Sequence, residues 1–87
     1  MTLDDQTNIV HSESKIVDNK EQVKVYIEKP VDGGFKSVEC YLPDYTWKNN
    51  QGFSKDEMNY FDEFIHSVSH IIIDLARNGG FDNAANF

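Results

Sequence analysis

Ser54-Lys55-Asp56-Glu57 writes the start of a helix and Arg77-Asn78-Gly79-Gly80 writes its end, so one long helix constrains the rest of the chain. In this capping box the Ser54 hydroxyl accepts from the amide of Glu57 and the Glu57 carboxylate accepts from the amide of Ser54. Two donors that a helix start leaves without partners are thereby satisfied. Phe53 and Met58 stand at the spacing of a hydrophobic staple, and Asp56 and Glu57 face the positive end of the macrodipole. At the other end Arg77 suits the negative terminus, and Asn78-Gly79-Gly80 tolerates the left-handed conformation of a C-terminal cap. A helix from Lys55 to Asn78 is roughly 36 Å long, the width of a small domain.

At 100° per residue, Met58, Phe61, Phe64, Ile65, Val68, Ile71, Ile72 and Leu75 share one broad apolar stripe, which is expected to be buried. Asn59, Asp62, Glu63, His66, His70, Asp74 and Arg77 fall opposite, where water is the least costly partner. Ile73 lies on that polar side and Tyr60 on its border, which marks the side as a contact surface.

The partner for the stripe is a sheet. Gln22 to Lys29 alternates, with Val23, Val25 and Ile27 on one face and Lys24, Tyr26 and Glu28 on the other. Pro30-Val31-Asp32-Gly33-Gly34 has the composition of a hairpin loop, and Phe35 to Leu42 resumes the alternation with Val38, Cys40 and Leu42 inward. Pro43-Asp44 favours a bend, and Tyr45-Thr46-Trp47 is a short strand candidate ending at Lys48-Asn49-Asn50-Gln51-Gly52. Ser14 to Asp18 either pairs as an extra edge strand ahead of the Asp18-Asn19 turn or stays outside the sheet. The expected fold is α+β, an antiparallel three- or four-stranded sheet packed on one long C-terminal α-helix. Residues 1–13, rich in Asp, Ser, Thr and Asn, are expected to be disordered, residues 14–80 to form a single α+β domain, and residues 81–87 a flexible C-terminal tail.

Eighty-seven residues make one domain with one modest core. Fifteen acidic against eight basic residues give a net charge of -7, which disfavours binding to nucleic-acid phosphate or anionic membrane and favours a basic partner. No apolar run is long enough to span a membrane, and no basic start precedes an apolar segment, so a cytoplasmic address is expected. The single cysteine, Cys40, forms no internal disulfide and agrees with a reducing compartment.

Asp32-Gly33-Gly34-Phe35, Pro43-Asp44, Gly52-Phe53-Ser54 and the acidic Asp56-Glu57 opening a helix together resemble the N-terminal domain of HicB-type antitoxins over residues about 22–75. Three features depart from that pattern. The second strand is longer, Tyr45-Thr46-Trp47 replaces the usual Leu-Pro-Gly after the bend, and no DNA-binding segment follows. The resemblance implies an acidic domain that masks a small, basic, RNA-cleaving toxin, and it implies no catalysis.

Asp62, His66, His70 and Asp74 recur every four residues, and two histidines one turn apart can share a metal ion. No third and fourth ligand stand at convincing spacing, so an ordinary polar helix face is the preferred reading and no metal or other cofactor is expected. Cys40 points inward between Val38 and Leu42, which makes it a structural thiol rather than a nucleophile. Tyr26, Tyr41, Tyr45 and Trp47 could stack bases, but the net charge favours core edge or protein contact.

No residue is assigned to catalysis, and the partner-binding candidates are Tyr60, Asp62, Glu63, His66, His70, Ile73 and Asp74. The expected function is a non-enzymatic protein-binding module that inhibits a basic toxin or nuclease, either antitoxin-like or a phage-type inhibitor such as an anti-CRISPR, with no direct nucleic-acid or membrane contact. The alternatives are an oligomeric scaffold, for instance a homodimer, and a metal-dependent activity at His66 and His70.

Overall fold

The computed structural model describes residues 2–3 and 5–78. Its elements are β1 (Asn8–His11), β2 (Lys15–Val17), β3 (Lys20–Val31), β4 (Gly34–Leu42), β5 (Thr46–Gln51) and α1 (Lys55–Arg77). They form an antiparallel five-stranded sheet in the order β1-β3-β4-β5, with β2 also pairing β3, and one helix. The architecture is α+β, with two more strands than the lower expectation and one more than the higher.

β3 and β4 pair continuously from Val23↔Leu42 to Val31↔Gly34. Their alternation puts Val23, Val25, Ile27, Val38, Cys40 and Leu42 on one face, and all six are 0 or 1% exposed. The ladder runs closer to the turn than the sequence implies. Pro30 and Val31 still pair, leaving only Asp32-Gly33 as the loop, with Gly33 at φ +83°. Glycine alone holds that angle without a Cβ clash.

Residues 1–13, expected to be disordered, instead supply a strand. β1 pairs with β3 from Asn8↔Glu28 to His11↔Val25, and Ile9 joins the core. The edge of β3 carries a row of backbone donors and acceptors that this segment satisfies. The extra edge strand left open by the sequence also forms, as β2, and its turn uses Asp18 at φ +53° and Asn19 at φ +66°. Asx residues tolerate the left-handed region that such a tight hairpin demands. The Ser14 amide donates to the Ala76 carbonyl, and Arg77 binds Glu21 through two hydrogen bonds of 2.7 and 2.8 Å, so this edge is clasped to the helix C-terminus.

β5 runs past Trp47 to Gln51, with a register shift opposite Ser37/Glu39 and Asn49 at φ +57°. Gly52 then turns at φ +100°, where a Cβ would approach Lys36 Cγ to 3.0 Å. The Asn50 side chain bonds both the amide and the carbonyl of Phe53, which seats Phe53 edge-on to Phe61 at 4.8 Å.

The helix begins as its sequence requires. Ser54 Oγ accepts from the Glu57 amide at 3.1 Å and Glu57 Oε1 accepts from the Ser54 amide at 2.9 Å. A cap of this kind stabilises by about 1 kcal/mol. At the other end Asn78 has φ -102°, and its side chain donates to the Asp74 carbonyl. Gly79, Gly80 and the tail over residues 81–87 lie outside the described residues.

The buried row of the helix is Phe61, Ile65, Ile72 and Ala76. It is rolled by roughly 40° from the centre of the apolar stripe at 100° per residue. Two expectations are corrected accordingly: Ile73 packs against the core, and Ile71 and Leu75 remain 49 and 48% exposed. Among the described residues no helix is long and apolar enough to cross a membrane.

Two outcomes check this fold. Ile9→Ala is expected to lose about 3 kcal/mol by urea unfolding, as a buried core truncation does and a disordered residue does not. Hydrogen bonds from Arg77 and then Ser14 hold the Glu21 carboxyl down at about 2, against 4.5 for the free group. The folded value is the lower, so the clasp stabilises above pH 4.5 and fades as pH falls toward 2, weakly because it is solvent-screened. Urea midpoints of Glu21→Gln should therefore fall less steeply across that window than those of the wild type. Parallel curves would remove the clasp from the account.

Candidate protein-docking surface

The roll of α1 gives its two flanks different fates. On the β5 flank Trp47 Nε1 donates to Asp62 Oδ1 at 3.0 Å, and the Tyr45 hydroxyl meets Ser69 Oγ at 2.8 Å. Tyr45 also stacks on His66, with ring centroids 3.6 Å apart and planes 6° from parallel. Tyr45 holds φ +56°, an angle that bulky side chains rarely adopt. His66 Nδ1 donates to the Asp62 carbonyl at 2.7 Å, which fixes the proton on that nitrogen. Polar helix residues that the sequence places in water are thus drawn onto the sheet by Tyr45 and Trp47.

Four of the seven sequence candidates lie along this flank. Asp62 and His66 are engaged by β5, Ile73 packs against the core, and His70 is exposed one turn beyond His66. No group of three or more histidine, cysteine or carboxylate side chains is placed to hold a metal among the described residues. Cys40, opposite Trp47 in the β4–β5 register, has its thiol pushed up to about 12, first by burial and then by the charge of Asp62. It stays protonated at neutral pH, so it lacks the thiolate that nucleophilic chemistry needs.

The aromatic residues considered for base stacking divide between the two sides of the sheet. Tyr26 and Tyr41 lie on the outer side, where their hydroxyls donate to Glu28 and Glu39 and where Lys48 sits over the Tyr41 ring at 5.3 Å. Tyr45 and Trp47 face the helix. They offer no common stacking platform.

The other flank of the helix is a solvent-facing apolar ridge. Tyr60, Ile71 and Leu75 are each about half exposed, with half-buried Phe64 and Val68 between them. The spacing is helical, one residue every three or four, so the side chains line up instead of scattering. Tyr60 stacks on Phe64 at 6.4 Å and meets Phe61 edge-on at 5.8 Å. Ser67 faces the same side, and its hydroxyl donates back to the Phe64 carbonyl at 2.6 Å.

Glu63 and Asp74, the other two candidates beside Tyr60, are exposed along one margin of this ridge, with Asp56 about two turns before Glu63. Asp74 reaches Arg77 only at 3.9 Å. At the N-terminal end of the ridge Tyr60 joins Thr2, Leu3 and Asp5 around a shallow depression of about 330 Å³. Hydrogen bonds from Thr7, then the Lys29 ammonium, keep the Asp5 carboxyl below its usual range, and Lys29 pairs with it at 3.4 Å.

Sequence reasoning found Tyr60, Glu63 and Asp74 but assigned Phe64, Ile71 and Leu75 to the core. The signal that could have separated them is the width of the stripe, which is broader than one sheet face can cover.

Native-state alkylation checks the reading of Cys40. Iodoacetamide should leave it unmodified at pH 8 and label it only at the rate of global unfolding. Fast labelling under native conditions would reopen a nucleophilic role.

No protein-family model matches this chain, no curated protein matches its sequence, and no solved structure matches its fold.

Proposed function

We propose that the protein is a non-catalytic binding module that inhibits or masks a basic, nucleic-acid-acting protein, in the manner of an antitoxin or of a phage nuclease inhibitor such as an anti-CRISPR. The observation that carries this reading is the apolar ridge of α1 with acids along its margin, on a chain whose net charge is -7. Lys24, Lys29, Lys36 and Arg77 are each committed to an ion pair with Glu39, Asp5, Glu57 and Glu21. Asp56 and Glu63 have no ion-pair partner among the described residues. Those four of the eight cations therefore serve the fold, and Asp56 and Glu63 are left to face a partner.

Such a surface repels nucleic acid and attracts the proteins that bind it. The antitoxin-like order of hairpin, bend and capped helix agrees with this reading.

The test is capture from the native host followed by an activity assay on what is captured. A basic nuclease or nucleic-acid-binding protein should be recovered, and its activity should fall on titration to one equivalent. Association should slow as salt rises, because the Debye length shrinks from about 10 Å at 0.1 M to about 3 Å at 1 M. Glu63→Lys with Asp74→Lys should slow it further. Micromolar binding of DNA or RNA by the protein itself at physiological salt, or capture of an acidic partner with no nucleic-acid activity, would overturn the proposal.

A further inference from the structure

Taking the protein as a binding module, we infer that the occupant of the α1 ridge is a basic amphipathic helix of the partner protein, laid along the row from Tyr60 to Leu75. The ridge from Tyr60 to Leu75 is roughly 22 Å long at 1.5 Å per residue, enough for four turns of a partner helix. Its apolar side chains recur at helical spacing, and rows of that spacing interdigitate with the rows of a second helix.

Two features prepare it for burial. Tyr60 already contacts the Phe64 and Phe61 rings before any partner arrives, which reduces the side-chain freedom lost on contact. The Ser67 hydroxyl already has its acceptor in the Phe64 carbonyl, so covering it leaves no donor stranded. Ser67 is also small, which lets a second backbone come close at the middle of the ridge.

Charge selects the kind of helix. Asp56, Glu63 and Asp74 lie within about a quarter turn of the ridge at 100° per residue. Lysines or arginines flanking the apolar row of the partner would meet them. A second copy of this chain fits poorly. Two facing ridges would oppose the three margin acids Asp56, Glu63 and Asp74 to their copies, with only Lys55 and Arg77 as helix cations, and Arg77 is bound to Glu21 at 2.7 Å. An added strand at the β5 edge is disfavoured as well, because that edge is polar and broken by a register shift and by Asn49 at φ +57°.

The experiment uses an 18-residue peptide with leucine and lysine at amphipathic helical spacing, titrated into the ¹⁵N-labelled full chain. Two controls have the same length: one with glutamate in place of lysine, and one with leucine and lysine strictly alternating, which favours a strand. The helical basic peptide should bind at micromolar Kd and shift the amides of residues 60–75. The glutamate peptide should bind at least tenfold more weakly. Leu75→Glu and Glu63→Lys should each weaken binding about tenfold, and Asp32→Lys, the same charge change on the β3–β4 turn, should not.

Preferred binding of the alternating peptide, shifts centred on β5, no binding by any peptide, or a ridge-mediated dimer in sedimentation would each overturn the inference. The two readings also fail separately. A partner with no nucleic-acid activity that still engages residues 60–75 through a basic helix removes the proposed function alone. A nuclease still inhibited by Leu75→Glu removes this inference alone.

Discussion

The inner face of the β3–β4 pair is the constraint that the rest of the molecule depends on. Six side chains there are excluded from water, and a fully buried valine, leucine or isoleucine stabilises by about 1.5 to 3 kcal/mol before chain entropy is counted. Such a face must be covered from one side by the helix and protected at both edges. Phe61, Ile65, Ile72 and Ala76 provide the cover. β1 and β2 close one edge and β5 the other. A chain of this size has no second core to compensate if that cover is lost, which is why even Thr7 and His11 are buried to complete it.

Two demands compete for the rotation of the helix. Centring its apolar stripe on the sheet would bury Ile71 and Leu75, whereas Trp47 and Tyr45 draw Asp62, Ser69 and His66 toward β5. A hydrogen bond to a charged acceptor contributes about 1.5 to 3 kcal/mol, comparable with half-burying two aliphatic side chains. The rolled position satisfies the hydrogen bonds and leaves the aliphatic residues partly in water. The exposed ridge is thus the consequence of a clamp on the opposite flank, and it can be covered or uncovered without disturbing the core.

What was legible in the sequence was local. Ser54 and Glu57 state the helix start in four residues, and Val23 to Leu42 states two strands by alternation alone. β1 was not legible because its inward positions continue those of Thr7, Ile9 and His11, a series with one aliphatic residue that does not read as a buried face. The status of Ile73, Ile71 and Leu75 depends on which flank β5 engages, and Trp47 and Asp62 lie too far apart in the chain for periodicity to join them. The same gap hid half of the candidate docking surface: its charged members show in any helical projection, and its apolar members look like core until the helix is seated.

In the proposed binding role, acids and ridge would divide the work of recognition differently. Exposed carboxylates act over about a Debye length, raising encounter rates and rejecting acidic partners, while contributing little to the final affinity because they remain solvated. Holding a partner falls to desolvated apolar area, and on this helix that area is the row from Tyr60 to Leu75. A protein that kept its acids but buried its ridge would meet basic partners quickly and release them as fast. In the proposed complex, residence would come from the side chains that the Tyr45 and Trp47 clamp holds out of the core.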